Sequence, residues 1–146
     1  MTVHFPNFGK FLKRKASDIE EMEPPASPEQ LAAAEAALGV RLPEAFARLL
    51  RCTGGLWIRN LDLRSHNRFV HKDPSGRQLL TEGMLCFGEF GLEADGDQVL
   101  FDIRLPYGED PPVFYYAHEG SPPAVRQLAP SFTDWIESLP RSPVFR

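Results

Sequence analysis

The chain has 146 residues, of which 42% are hydrophobic and 25% charged, with a formal net charge of −4. That size fits one domain, residues 1–146, burying roughly 70% of its unfolded surface, and the composition excludes a disordered or collagen-like chain. No apolar run approaches membrane-spanning or signal-peptide form, which predicts a cytoplasmic protein with no membrane partner.

Residues 7–22 predict a first helix, with Phe8, Phe11, Leu12, Ile19 and Met22 roughly on one face and Lys10, Lys13, Arg14 and Lys15 on the other. Its charges run from basic to acidic, against the helix dipole. A break near Ala16-Ser17 fits that conflict, with Ser17 and Glu20 as a second capping box. Pro24-Pro25 is a stiff connector. Ser27, Pro28 and Gln30 then open a helix as N-cap, N1 and N3. Leu31 and Leu38 share its buried stripe, and Gly39 supplies a left-handed stop. Pro43 is placed at N1 of a third helix with Phe46, Leu49 and Leu50 on its apolar face, and Gly54-Gly55 ends it.

After Gly55 the period shortens. Leu56-Trp57-Ile58, Leu61-Asp62-Leu63 and Arg68-Phe69-Val70 read as strands, and residues 71–77 as a polar loop. Residues 84–88 predict a buried strand, residues 93–96 a turn, and residues 98–103 a strand with Val99, Phe101 and Ile103 on one face. Residues 113–118 form another strand, placing Val113, Tyr115 and Ala117 on one face and Phe114, Tyr116 and His118 on the other. Ser131 caps a last helix whose core face is Phe132, Trp135, Ile136 and Leu139, stopped by Pro140. The sum is an α+β fold: N-terminal helices packed on a largely antiparallel sheet of about five or six strands, with a C-terminal helix.

The order of these features carries a resemblance. An acid-containing helix ending in Leu38-Gly39, then Leu42-Pro43, Phe46 three residues on, Leu49-Leu50 and Gly54-Gly55 resembles the SUKH superfamily. Gly96-Asp97, the strand over residues 99–102, Pro112-Val113 and Ser131-Phe132 follow in the family's order, so the likeness spans roughly residues 24–139. Thr53 stands where members often carry Asn. The resemblance implies the same α+β architecture. It further implies an immunity protein that binds and neutralises a cognate bacterial polymorphic toxin or, as in fungal members, a regulatory or scaffold domain binding a host protein.

The residues themselves offer little for catalysis. Glu93, Asp95 and Asp97 alternate as in a calcium loop, but the sixth and twelfth positions are Gln98 and Arg104 rather than glycine and glutamate. His4, His66, His71 and His118 match no zinc spacing. Cys52 and Cys86 lie far apart and read as reduced, buried thiols. Neither nucleophile elbow nor phosphate loop occurs. No cofactor, no metal and no enzymatic activity are expected. The charge distribution says more. Residues 82–119 hold nine acidic side chains and one basic, a net of −8, whereas residues 56–81 carry a net of +3. Such an acidic block disfavours nucleic acid and suits a cationic protein, for example a basic nuclease toxin. Glu93, Asp95, Asp97, Asp102, Tyr116 and Glu119 are therefore the predicted partner-binding residues, with carboxylates steering and the tyrosine anchoring.

Overall fold

The computed structural model describes residues 3–70, 79–80, 83–104, 106–119 and 124–145. Helix α1 (Pro6–Arg14) has no side-chain cap of its own. The Glu137 carboxylate fills that role, accepting the Asn7 and Phe8 amides at 3.0 and 3.1 Å, and so ties the start of the chain to its last helix. A single 3-10 turn (Ala16–Asp18) follows, and the chain continues as strand β1 (Ile19–Met22). The helix expected over 7–22 thus ends eight residues early, with no second capping box. Acidic residues 18, 20, 21 and 23 would have crowded the negative end of a longer helix.

Helix α2 (Pro28–Leu38) forms as expected. The Gln30 amide donates to Ser27 Oγ at 3.1 Å, and the Ser27 amide donates to Gln30 Oε1 at 2.9 Å. Gly39 closes it at φ 75°, and a Cβ there would meet nothing within 4 Å. Its requirement is therefore purely conformational. Gly39→Val is expected to cost about 1 kcal/mol or more, read as a lower midpoint in chemical denaturation with an unchanged slope.

Helix α3 (Glu44–Cys52) starts one residue later than expected, with Pro43 as N-cap at φ −54° and ψ 137°. The double glycine after it serves close packing rather than a left-handed turn. A Cβ on Gly54 would lie 2.4 Å from the Pro24 carbonyl, and one on Gly55 2.7 Å from Ser65 Cβ. Thr53 is buried, with its hydroxyl 3.1 Å from the Glu23 carbonyl and 2.9 Å from that of Gly55. Its side chain does the bridging at this junction.

The sheet is antiparallel throughout. Its strands are β1, β2 (Leu56–Ile58), β3 (Leu61–Leu63), β5 (Met84–Phe90), β6 (Gln98–Asp102), β7 (Val113–Ala117) and β8 (Ala124–Ala129), in that spatial order, while β4 (Leu79–Leu80) pairs beside them on β5. This exceeds the five or six strands expected, because β1 and β8 form the two edges. The third expected strand is instead a short helix, α4 (His66–Val70), so residues 68–70 belong to no sheet. The polar stretch at residues 71–77, read as a loop, lies outside the described residues.

One sheet face is the core. A bulge between Cys86 and Gly88 turns both Phe87 and Gly88 inward. Glycine is needed there, because a Cβ would stand 2.6 Å from the Asp62 carbonyl. Phe87 stacks on Phe101 at 4.0 Å between centroids. Phe46 of α3 meets Phe69, Phe87, Phe101 and Phe132 edge-on or tilted at 5.4 to 6.2 Å. Helix α5 (Phe132–Ser138) closes the core with Phe132, Trp135 and Ile136 buried, its first turn capped by Ser131 Oγ accepting the Asp134 amide at 3.0 Å. Leu139 is buried too, in a 3-10 turn (Leu139–Arg141) that contains Pro140 and is followed by another at Pro143–Phe145. Neither Cys52 nor Cys86 is in a disulfide; Cys86 is buried as expected, Cys52 only half-buried.

Candidate protein-binding face

Strand alternation leaves the other sheet face to be read residue by residue. Its register aligns one row across seven strands: Glu21, Trp57, Asp62, Glu89, Gln98, Tyr116 and Val125. Trp57 and Val125 are each 44% exposed, while Gln98 is 1% exposed. Phe114 and Tyr116 are half-buried against Met84, Cys86 and Leu100, so the aromatic pair is seated in a small apolar patch.

At one end of this face, the β5–β6 turn is organised by Asp97. Its carboxylate accepts the Tyr115 hydroxyl, the Ala94 amide at 3.1 Å and the His118 amide at 3.0 Å, and lies 2.6 Å from His118 Nδ1. Burial pushes its pKa up, but hydrogen bonds from Tyr115, the His118 backbone, the His118 ring and Ala94 together outweigh this and hold it below 3.8. Burial first, and then the Asp97 carboxylate, push Tyr115 up to about 12. Gly96 takes φ 84° to let the turn close. The Glu93 amide donates to the Tyr115 hydroxyl oxygen at 2.9 Å, and Arg126 lies 4.9 Å over the Tyr115 ring while pairing with Glu93 at 2.5 Å.

The structure therefore brings Glu93, Asp95, Asp97 and Glu119 to one end of the sheet, with Tyr116 just inside it. Only Glu93, Asp95 and Glu119 of the four are exposed; Asp97 is 1% exposed and holds the turn. Asp102 stands at the far end of β6. Both its carboxylate oxygens bond the Arg104 guanidinium, at 3.0 and 2.8 Å, and these bonds keep its pKa low.

Four side chains of this face are not among the predicted partner-binding residues: Glu21, Trp57, Asp62 and Glu89. Two shallow clefts flank Trp57. One of about 200 Å³ is lined by Glu21, Glu23, Trp57, Asp62 and Ser65 among others. The second, of about 230 Å³, adds Arg59, Glu89 and Asp95 to Trp57 and Asp62, and Arg59 itself pairs with Asp18 at 3.0 Å. Strand alternation was the available signal for Trp57 and Asp62, which stand between the buried pairs Leu56 and Ile58, and Leu61 and Leu63.

Among the described residues, no three His, Cys, Asp or Glu side chains are grouped to hold a metal ion, and no helix is long and apolar enough to cross a membrane. The arrangement defines a small α+β domain with a continuous sheet face bearing carboxylates and aromatic side chains. The family model of the SMI1 / KNR4 family (SUKH-1) matches residues 25–138, and the chain belongs to that family. A search of curated proteins returned no match.

Proposed function

We propose that this protein is a non-enzymatic immunity protein, acting in the cytoplasm, that docks on a cognate polymorphic toxin domain and blocks it. The observation that carries the reading is the gathering of Glu93, Asp95 and Glu119, all exposed, at one end of the sheet, in a chain of the SUKH-1 family. A basic toxin, such as a nuclease that attracts phosphates, meets that face with complementary charge. Tyr116 supplies apolar contact beside the carboxylates, and Asp97 fixes the turn that presents them. Asp102 and Glu93, each paired with an arginine (Arg104 and Arg126), contribute less of that charge than Asp95 and Glu119.

The experiment is co-expression with the C-terminal domain of the large toxin-like protein expected in the neighbouring upstream reading frame. Growth is expected to be rescued, and the two chains are expected to co-purify. Unrelieved toxicity alongside folded, soluble protein and no complex would rule out immunity. Weak binding to several unrelated proteins would favour the scaffold role instead.

A further inference from the structure

We infer that β8 is the strand on which the partner docks: an extended segment of the toxin domain adds to its open edge as a further antiparallel strand. This rests on the proposed immunity role and names how the two chains engage. The sheet has two edges, β1 and β8, and only one of them is guarded. An edge strand presents unpaired backbone N–H and C=O groups, which charged side chains, bulges and prolines keep from pairing with another chain. β1 has four residues, carries Glu20 and Glu21, shifts register between Ile19 and Glu21, and is soon followed by Pro24-Pro25.

β8 lacks these guards over most of its length. Its six residues include neither proline nor acid, and residues 124–127 pair with residues 114–117 of β7 in unbroken register. The one register shift comes at its far end, at Leu128. Arg126, its single charge, does not shield the edge. It stands opposite Tyr115, lies 4.9 Å over that ring and pairs with Glu93 at 2.5 Å, so its guanidinium is drawn back across the sheet. Val125 beside it is 44% exposed. Among the described residues, no backbone hydrogen bond joins β8 to anything but β7.

Two further features say what the edge accepts. An added strand alternates its side chains between the two faces. On the core side of β8, where Leu92 and Leu128 pack against the main core, lies a groove of about 280 Å³ walled by these two leucines, Phe90, Trp135 and Leu139. The segment therefore places an apolar side chain there. The start of β8 lies at the acidic end of the sheet, since Ala124 pairs with Ala117, two residues before the exposed Glu119. A lysine or arginine flanking the added strand meets opposite charge at that end. A second copy fits less well: each chain has a net charge of −4, so pairing β8 with β8 sets like charge beside each acidic end. The occupant is a segment with an apolar residue and a basic flank, held by main-chain bonds and selected by the groove and the charge.

The test follows amide exchange by NMR along β1 and β8 of the labelled protein at 0.15 M salt, alone and with the unlabelled toxin domain named above. Isotope-filtered NOEs read which toxin protons lie against β8. The amides of β8 that face away from β7 are expected to exchange tenfold or more slowly in the complex and to show NOEs to backbone protons of the toxin. Those of β1 are expected to stay unchanged. Tight binding with exchange unchanged along β8, or slowed without backbone NOEs, would overturn the strand addition while leaving immunity intact. Slowing that depends on the concentration of this chain alone would assign the edge to a second copy, which also overturns it. A parent that neither binds nor neutralises would remove the immunity reading itself, and the strand addition with it.

Discussion

Replacing Phe46 with alanine is expected to cost about 3–5 kcal/mol, in the range for truncating a fully buried phenylalanine. Phe46 is 0% exposed and meets four other rings, from α4, β5, β6 and α5. Removing it leaves a cavity where α3, α4 and α5 meet the sheet, and T-shaped and tilted ring contacts are lost besides area. At about 3 °C per kcal/mol for a chain of this size, the melting temperature should fall by roughly 10 °C or more. Phe46→Leu, which keeps most of the volume, should fall much less. Equal losses for the two would mean that the site tolerates collapse and the rings are not interlocked.

Asp97 should produce the second large effect. Its carboxylate satisfies a tyrosine hydroxyl and two backbone amides in a buried turn, so Asp97→Ala leaves donors unsatisfied and is expected to cost roughly 3 kcal/mol. The pH dependence follows from its lowered pKa. In the unfolded chain the group titrates near 3.8, and in the fold it titrates lower. Its contribution is therefore complete above about pH 4 and disappears as the pH falls through the folded value. Asp97→Asn should be less stable than the parent at pH 7, with the difference shrinking toward pH 3. Urea unfolding at several pH values checks both, and a difference that stays constant with pH would show that folding does not lower the pKa of this carboxylate.

These two positions show what the sequence made legible. Phe46, Leu49 and Leu50 stand at helical spacing between Pro43 and Gly54, and local turn chemistry alone defined that helix. Ser27 and Ser131 likewise announced their caps. Residues 19–22 did not reveal a strand, because Ile-Glu-Glu-Met is a fair helical stretch and only pairing with β2 makes it extended. Arg68-Phe69-Val70 misled in the opposite direction: aromatic and β-branched residues suggested a strand, while the chain forms helix α4, with Phe69 packed edge-on against Phe46.

The candidate face was legible in part. Glu93, Asp95, Asp97 and Glu119 lie close in sequence and were found by charge counting. Asp97 was read as a steering charge because sequence does not distinguish a buried acceptor from an exposed acid. Glu21, Glu23 and Asp62 escaped because each falls in a stretch whose net charge is neutral or positive. Only the register of β1, β2, β3 and β5 sets them around Trp57.

The most direct measurement of the central claim is the association rate of the toxin domain at two ionic strengths, for the parent and for Glu93 and Asp95 both changed to lysine. If the acidic end of the sheet faces a basic partner, the double reversal slows association several-fold at low salt. The gap then narrows as the Debye length shortens below about 10 Å at 0.1 M. An association rate unchanged by the reversal, and insensitive to salt, would contradict the claim and place the partner on another face.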